Sequence, residues 1–439
     1  MHSNVRDAHH RSDIPVCMDI HLKVAGGAAG RLPTSDFPSC KIKRGMDMIF
    51  KELLDSFLIH YMSRFDKYPF NIELHGDTYR IGTGDPKFTI VVKNDIPKKE
   101  LMASTSLALA EAYMRGDLEV KDGDLFTVIA CLLEQADRIT LDKHALKDLF
   151  SFSEKKRDQA KQVSSHYDLG NDFYKLWLDP TLSYSCAYFK HDDDTLETAQ
   201  KNKVDYILKK LYLKPGMKLL DIGCGWGYLL IEAAKEYGIQ GYGCTLSKEQ
   251  WKMGQQRLHD AGLEDQVTID LIDYRDLPDK DLTFDRIVSV GMMEHVGRDN
   301  YQTYYECANA LLKDGGLFLL HSITGNDEEM SDSFMRKYIF PGGMLPSLRE
   351  LVSIAYDHAF RVQDVESLRR HYYKTLLCWY KNFQAVHDQV KDQKGEEFVR
   401  MWDIYLVGCA AAFYTGYIDI HQVLMTKGNN NELPMTRWY

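Results

Sequence analysis

A glycine-rich turn between two apolar segments constrains the fold of this chain more than any other feature. Leu219, Leu220 and Ile222 form the short apolar run that is typical of a buried parallel strand, and apolar side chains in 229–234 recur at helical spacing. Gly223, Gly225 and Gly227 lie between them, where glycine permits a sharp turn that brings backbone N–H groups to the positive end of a helix. The stretch therefore predicts a strand, a ligand-binding turn and a helix.

The spacing of these glycines discriminates between ligands. A dinucleotide fingerprint, G-x-G-x-x-G, requires glycine at position 228, where this chain has Tyr228, so NAD binding is not expected. Asp221 lies two positions before the first glycine. This arrangement resembles the first motif of the S-adenosylmethionine-dependent methyltransferases, in which the turn wraps the amino-acid end of the cofactor.

Four further strand-like segments follow the glycine turn, separated by helix-like spacing. They are residues 240–244, 267–269, 285–290 and 316–321. This rhythm is typical of a doubly wound parallel sheet, so we expect an α/β, Rossmann-like methyltransferase domain.

A smaller unit is predicted upstream. Apolar and polar residues alternate through 70–94, which predicts an antiparallel meander, and helical segments at 101–114 and 125–135 flank a short strand at 118–120. Together these make a small α+β domain. The expected organisation is an N-terminal extension (1–45), the α+β domain (46–136), a charged linker (137–162) and the catalytic domain (163–439).

Composition excludes several classes of protein. The nine cysteines form no C-x-x-C pair, which favours a reducing, cytoplasmic compartment and argues against a metal site. A net charge of −10 makes nucleic acid an improbable partner. The most apolar stretch, residues 406–418, is too short to span a bilayer.

The region expected to bind ribose departs from most methyltransferases. Those enzymes have an acidic residue at the end of the second strand, whereas this chain reads Cys244-Thr245-Leu246-Ser247. Thr245 and Gln250 are the polar side chains left for the ribose. Tyr274 and Arg275, after the third strand, are expected near the adenine.

Several ordered motifs resemble one family closely. They are residues 166–174, 184–188, 294–297 and 340–347. From about residue 160 onward the chain resembles the cyclopropane fatty acid synthases and the related mycolic acid cyclopropane synthases. The preceding domain resembles the lipid-carrier-like N-terminal domain of the bacterial phospholipid enzymes, which the mycolic acid enzymes lack.

The resemblance implies transfer of a methylene group from S-adenosylmethionine to a cis double bond of a phospholipid acyl chain, with a bound bicarbonate ion as the base. The implied catalytic residues are Cys186 (mainly through its backbone), Glu294, His321, Ile323 (through its backbone) and Tyr372. The implied cofactor-binding residues are Tyr184, Ser185, Asp221, Gly223, Gly225, Gly227, Thr245, Leu246, Gln250, Tyr274 and Arg275. Taken singly, His321 and Tyr372 could equally be core residues.

The chemistry explains why such residues are needed. A sulfonium methyl group is a strong electrophile and an alkene a weak nucleophile, and their union leaves a carbocation that must lose a proton to close the ring. The site therefore needs a dry apolar channel, surfaces that tolerate a cation and a base that is not itself alkylated. Cys409 is a further candidate catalytic residue, because it matches a cysteine once regarded as the family's nucleophile, although its apolar neighbours raise a thiol pKa and favour a packing role.

Access to a lipid substrate requires docking on a membrane. Basic residues gather in the linker at Lys155, Lys156, Arg157 and Lys161. They form either an ordinary solvated helix face or a contact with anionic headgroups. We expect a homodimer that binds peripherally to the inner face of the cell membrane.

Other functions stay open at this point. One is a fatty acyl or small-molecule methyltransferase without ring closure, in which Glu294 is a general base. Another is a lipid-binding protein with an inactive cofactor pocket, against which the intact Asp221, glycines, Glu294, His321 and Tyr372 argue.

Overall fold

The computed structural model describes residues 55–135, 169–327, 332–437 and 439. The predicted extension, the linker with its four basic residues and the first three residues of the 166–174 motif lie outside the described residues. Beyond helical residues 55–62, the α-helices are α1 (Lys98–Ala103), α2 (Thr105–Arg115), α3 (Leu125–Leu133), α4 (Asn171–Lys175), α5 (Leu196–Lys210), α6 (Tyr228–Tyr237), α7 (Lys248–Ala261), α8 (Tyr301–Leu311), α9 (Leu348–Asp357), α10 (Arg369–Ala385), α11 (His387–Lys394) and α12 (Glu396–Thr415). The strands are β1 (Phe70–Leu74), β2 (Asp77–Ile81), β3 (Thr89–Val92), β4 (Leu118–Lys121), β5 (Lys218–Ile222), β6 (Gln240–Thr245), β7 (Val267–Leu271), β8 (Phe284–Val290), β9 (Leu312–Gly325), β10 (Phe360–Ser367) and β11 (Ile418–Lys427).

The small N-terminal sheet is not the antiparallel meander that the sequence predicts. Its order is β2-β1-β3-β4, with β1 antiparallel to β2 but parallel to β3. Lys87 N–H donates to Pro69 C=O at 2.8 Å and Asn71 N–H to Phe88 C=O at 3.0 Å. These bonds bring the chain back to the start of β1, so β3 enters on the free side of β1 and runs in the same direction.

The predicted helix at 101–114 is two helices, α1 and α2. Ser104 between them has extended backbone (φ −162°, ψ 106°), and its hydroxyl accepts the Leu107 N–H as the N-cap of α2. A serine side chain that satisfies a backbone donor favours a new helix start over a continued helix.

The large sheet confirms the doubly wound fold and extends it. Its order is β10-β11-β9-β8-β5-β6-β7. The five strands from β9 to β7 are parallel, and β6 to β9 correspond to the four predicted segments. Sequence analysis missed β10 and β11, which pair antiparallel to each other and, through β11, to β9.

Both faces of this sheet are covered, as alternating side chains require. Leu219 and Leu319 belong to an apolar cluster with α5, α6 and α7. Leu220 and Leu320, one residue further along the same strands, belong to a second cluster with α8 and α9.

A third apolar cluster joins α10 and α12 to the segment before α5 and contains Trp177, Trp379 and Trp402. The small domain docks against α12, where Arg400 Nε donates to Tyr113 C=O at 2.5 Å. None of the helices among the described residues has the length and apolar character needed to cross a membrane.

Candidate active site

A cavity opens where the glycine turn meets the carboxyl ends of the parallel strands, the usual ligand site of open α/β sheets. The structure brings most of the predicted cofactor-binding residues into its wall. These are Tyr184, Ser185, Asp221, Gly223, Gly225, Thr245, Leu246, Gln250 and Tyr274.

The glycine turn leaves room for a ligand. Gly223 and Gly225 have φ of +84° and +55°, in the left-handed region that favours glycine. A Cβ placed on Gly225 would meet no atom within 4 Å, although Gly225 lines the cavity. A side chain here would therefore occupy ligand space.

Gly227 and Arg275 do not line the cavity, unlike the other predicted cofactor residues. Gly227 is the N-cap of α6, where a Cβ would lie 2.6 Å from Ile269 Cδ1, so this glycine permits close helix–strand packing. Arg275 turns to Asp273, which accepts from its Nε at 2.8 Å and its Nη2 at 2.6 Å. That ion pair holds the guanidinium on the turn that carries Tyr274.

Asp221 is buried at the end of β5, and its Oδ1 has no hydrogen-bond partner among the described residues. Burial raises the pKa of Asp221 to about 7, against the opposing charge of Lys203. A buried carboxylate oxygen without a partner is costly unless a ligand donates to it.

Lys203 is a cavity residue that sequence reasoning missed. It lies on α5 with its Nζ donating to Ser185 Oγ at 2.9 Å, and burial lowers its pKa to about 8. The available signal was its position on the apolar stripe of α5, four residues after Ala199 and four before Ile207. Trp226, Met292 and His295 also line the cavity and were not predicted.

The predicted ribose residues lie together. Thr245 Oγ1 donates to Gln250 Oε1 at 3.0 Å and accepts the Ser247 N–H at 3.2 Å. Ser247 in turn caps α7 by accepting the Gln250 N–H. These contacts fix the Gln250 side chain in the cavity wall.

A second group of buried polar atoms adjoins the end of β8. Glu294 lies in a 3₁₀ turn after β8, and its Oε1 accepts the Ile323 N–H of β9 at 2.6 Å. Its Oε2 has no hydrogen-bond partner among the described residues. Burial raises the pKa of Glu294 to about 7, against the opposing effect of the Ile323 N–H.

His321 is fully buried on β9, two residues before Ile323. Its Nδ1 lies 3.1 Å from Gln422 Nε2, and its Nε2 has no partner in the described part of the chain. Burial, with the charges of Lys203 and Lys210, lowers the pKa of His321 to about 3. The ring is therefore neutral at physiological pH.

Cys186 and Tyr372 reach this region through one backbone segment. The Leu368 carbonyl accepts the Tyr372 N–H at 3.0 Å and the Cys186 thiol at 3.8 Å. The Leu368 N–H donates to Ile420, which pairs with Ile323 across β11 and β9. Burial raises the pKa of the Cys186 thiol far above its usual value.

Cys409 lies on α12, where it packs against the aromatic cluster with Trp402 and Tyr405. Burial raises the pKa of its thiol to about 12. A thiol that stays protonated is a poor nucleophile, which agrees with a packing role.

Comparison with known proteins identifies the family. The sequence model of mycolic acid cyclopropane synthetase matches residues 154–423. The chain belongs to this family. A domain of unknown function matches residues 57–144.

Curated relatives extend over both domains. The cyclopropane-fatty-acyl-phospholipid synthase of Escherichia coli K12 is 42% identical over 366 residues, which cover 81% of this chain and 92% of that protein. A probable fatty acid methyltransferase of Pseudomonas putida is 39% identical over 371 residues, covering 82% and 93%. A solved mycolic acid cyclopropane synthase complexed with SAH and CTAB is 40% identical, with a TM-score of 0.58, and covers 61% of this chain and 98% of that one.

Proposed function

We propose that this enzyme transfers a methylene group from S-adenosylmethionine to the cis double bond of an unsaturated acyl chain in a phospholipid and so forms a cyclopropane ring. The observation that carries the proposal is a pair of buried atoms that have no hydrogen-bond partner among the described residues: Glu294 Oε2, in the turn after β8, and His321 Nε2, on the adjacent strand β9. The end of β8, at Val290, also lines the cofactor cavity. The names of the E. coli relative and of the solved synthase support the same reaction.

The cavity residues fit the proposed cofactor, which supplies an electrophilic methyl group when bound. Asp221 Oδ1 offers an acceptor for the amino-acid end, next to the backbone of the glycine turn. Thr245 and Gln250, which are hydrogen-bonded to each other, would hold the ribose, and the buried Tyr274 would contact the adenine. Lys203, hydrogen-bonded to Ser185, adds a cation opposite the Asp221 carboxylate.

The unpartnered atoms also fit a small anion that carries one proton, of which bicarbonate is the proposed example. Glu294 Oε2 can only accept when ionised, and His321 presents an N–H if Nδ1 is unprotonated. Glu294 Oε2 is thus proposed to accept a hydrogen bond from the hydroxyl group of the ion, while His321 Nε2–H and the Tyr372 hydroxyl donate hydrogen bonds to its other oxygens. Such an ion would accept the proton lost at ring closure.

Contacts between aromatic rings connect Tyr372 to the cofactor cavity, and the acyl chain is proposed to lie beside these rings. Tyr372 contacts Phe413 at a ring-centroid distance of 4.7 Å and Trp379 at 5.9 Å. Trp379 lies 5.3 Å from Tyr184, which lines the cofactor cavity. Ring faces stabilise a nearby cation and exclude water, as a carbocation intermediate requires.

Peripheral attachment to the inner face of the membrane and a homodimeric state belong to the same proposal. The membrane attachment rests on the basic residues among 155–161, which lie outside the described part of the chain. The lipid-carrier-like role of the small domain is likewise a proposal.

The test is to supply the purified enzyme with vesicles of unsaturated phospholipid and S-adenosylmethionine and to analyse the acyl chains by proton NMR. Ring closure should replace olefinic signals with cyclopropane methylene signals. Unchanged acyl chains, in the presence of bound cofactor, would contradict the proposal.

A fatty acyl methyltransferase without ring closure is the second candidate, because the relative from Pseudomonas putida is named as a probable fatty acid methyltransferase. The same spectrum separates the two. A methyl-branched or methylene product retains a branch signal and no ring signal.

A further inference from the structure

Two buried side chains, Gln422 and Lys210, form a hydrogen-bonded chain that ends at His321. Gln422 lies directly across from His321 in the β11–β9 pairing, and its side chain is 1% exposed. Its Nε2 lies 3.1 Å from His321 Nδ1, and its Oε1 lies 2.9 Å from Lys210 Nζ. Gln422 therefore connects His321 to a lysine.

The lysine determines how the Gln422 amide is oriented. An ammonium group has three donors and no acceptor, so the Gln422 atom that faces Lys210 must be the carbonyl oxygen. The amide –NH₂ then faces His321. A hydrogen bond between the two requires Nδ1 of the ring to act as acceptor, which places the ring proton on Nε2.

Lys210 is itself held in place. It is 1% exposed, its Nζ lies 2.5 Å from Glu366 Oε2, and it stacks over the Tyr206 ring at 4.4 Å. Tyr206 also donates to Glu366 at 2.9 Å. A buried lysine that keeps an acidic partner and a carbonyl acceptor has little freedom to release the glutamine amide.

We infer that Lys210 and Gln422 are positioning residues that fix the neutral His321 as its Nε2–H tautomer, so that this N–H, which has no partner among the described residues, serves as the donor to the anion. The inference rests on the proposed function for the identity of that anion. It adds the reason why the ring presents a proton and not a lone pair, which would repel a negatively charged oxygen.

The Gln422→Glu variant tests this inference, because it preserves the side-chain shape and the contact with Lys210. A carboxylate cannot donate to Nδ1, so the ring must place its proton there. Gln363→Glu, on the neighbouring strand β10, is the matched control, since Gln363 is exposed and bonds Thr426 and the Arg361 carbonyl, not His321.

The direct readout is the nitrogen-15 NMR spectrum of histidine-labelled protein, with His321 assigned by its loss in His321→Gln. Wild type and Gln363→Glu should show Nε2 protonated and Nδ1 unprotonated, and Gln422→Glu should show Nδ1 protonated. The same pattern in Gln422→Glu as in wild type, or a protonated Nδ1 in wild type, would overturn the inference. If Gln422→Glu does not fold, Gln422→Met takes its place and should show a mixture of the two His321 tautomers. A single Nε2–H tautomer in Gln422→Met would overturn the inference.

The second readout is the bicarbonate concentration that half-restores turnover in carbonate-depleted buffer, measured at alkaline pH so that the new carboxylate does not hold His321 as an imidazolium. Gln422→Glu should require about 10- to 100-fold more bicarbonate than wild type or the control. An equal requirement would show that the Nε2 proton does not hold the ion. If wild type needs no bicarbonate but the tautomer still switches, the bound-ion base of the proposed function fails and the assignment of Lys210 and Gln422 stands.

Discussion

Replacing Glu294 by glutamine should make the enzyme less active and, at neutral to alkaline pH, more stable. The variant keeps an oxygen to accept the Ile323 N–H, now at 2.6 Å from Oε1, and removes only the negative charge. Because the side chain is 8% exposed, that charge lies almost entirely outside water. The two effects therefore have one cause.

The size of the stability effect follows from the pKa of Glu294. Burial raises that pKa from 4.5 to about 7, and each unit corresponds to about 1.4 kcal/mol. The unfolded chain loses its proton near pH 4.5 while the folded chain keeps it to about pH 7, so folding stability falls across this window. Above this window, the ionised carboxylate of wild type lowers the free energy of unfolding by up to about 3.5 kcal/mol, a cost that the neutral glutamine does not carry.

Chemical denaturation at about pH 4 and about pH 8.5 measures this difference, with Glu306→Gln, an exposed glutamate on α8, as control. The Glu294→Gln variant should match wild type at the low pH and exceed it at the high pH. Turnover should fall about 100- to 1,000-fold, with cofactor affinity unchanged, since the glycine turn is untouched. A stability gain of equal size at both pH values, or unchanged turnover, would refute the reasoning.

Three further predictions concern other parts of the molecule. Gly225→Val should weaken S-adenosylmethionine binding by about 10- to 100-fold in calorimetry, because the valine side chain enters the cavity. Gly262→Val is the control, since Gly262 also has a positive φ (+66°) and open space around its Cβ position but lies at the C-cap of α7. This control should bind the cofactor as wild type does. Cys409→Ser should keep more than about half of wild-type turnover, since a thiol whose burial raises its pKa to about 12 is no nucleophile, and complete loss in a folded variant would restore a catalytic role. Reversing the four basic charges of residues 155–161 should reduce co-sedimentation with anionic vesicles at low salt. Raising the salt until the Debye length is about 8 Å should also weaken binding of the wild-type protein. Equal binding of wild type and the charge-reversed variant at low salt would show that this segment is an ordinary linker.

The parallel part of the sheet could be predicted because its signals are local. Buried strands read as apolar runs, and glycines at fixed spacing mark the turn. The path of β3 could not be predicted, since parallel and antiparallel neighbours have the same alternating pattern and only the bonds of Lys87 and Asn71 decide between them. Strands β10 and β11 were missed for a related reason, because their partners lie far away in the sequence.

The candidate site divides in a similar way. The glycine turn and Asp221 follow from their spacing, whereas Glu294, His321 and Tyr372 are separated by tens of residues and came from the family resemblance. Gly227 and Arg275 belong to the predicted motifs but do not line the cavity. Gly227 permits close packing against Ile269, and Arg275 forms an ion pair with Asp273. Lys203 could not be found from residue type alone, because most lysines on an amphipathic helix face water.

The position of β11 has a consequence for how the enzyme comes into being. This strand follows every other element of the catalytic sheet in the sequence, yet it lies between β9 and β10 and not at an edge. On this strand, Ile420 pairs with Ile323 and accepts the Leu368 N–H, and Gln422 pairs with His321. During synthesis on the ribosome the strands that line the cofactor cavity precede β11, whereas the proposed proton-accepting site around His321 depends on this late, long-range pairing. A nascent chain could thus hold the methyl donor before it acquires the means to complete the reaction.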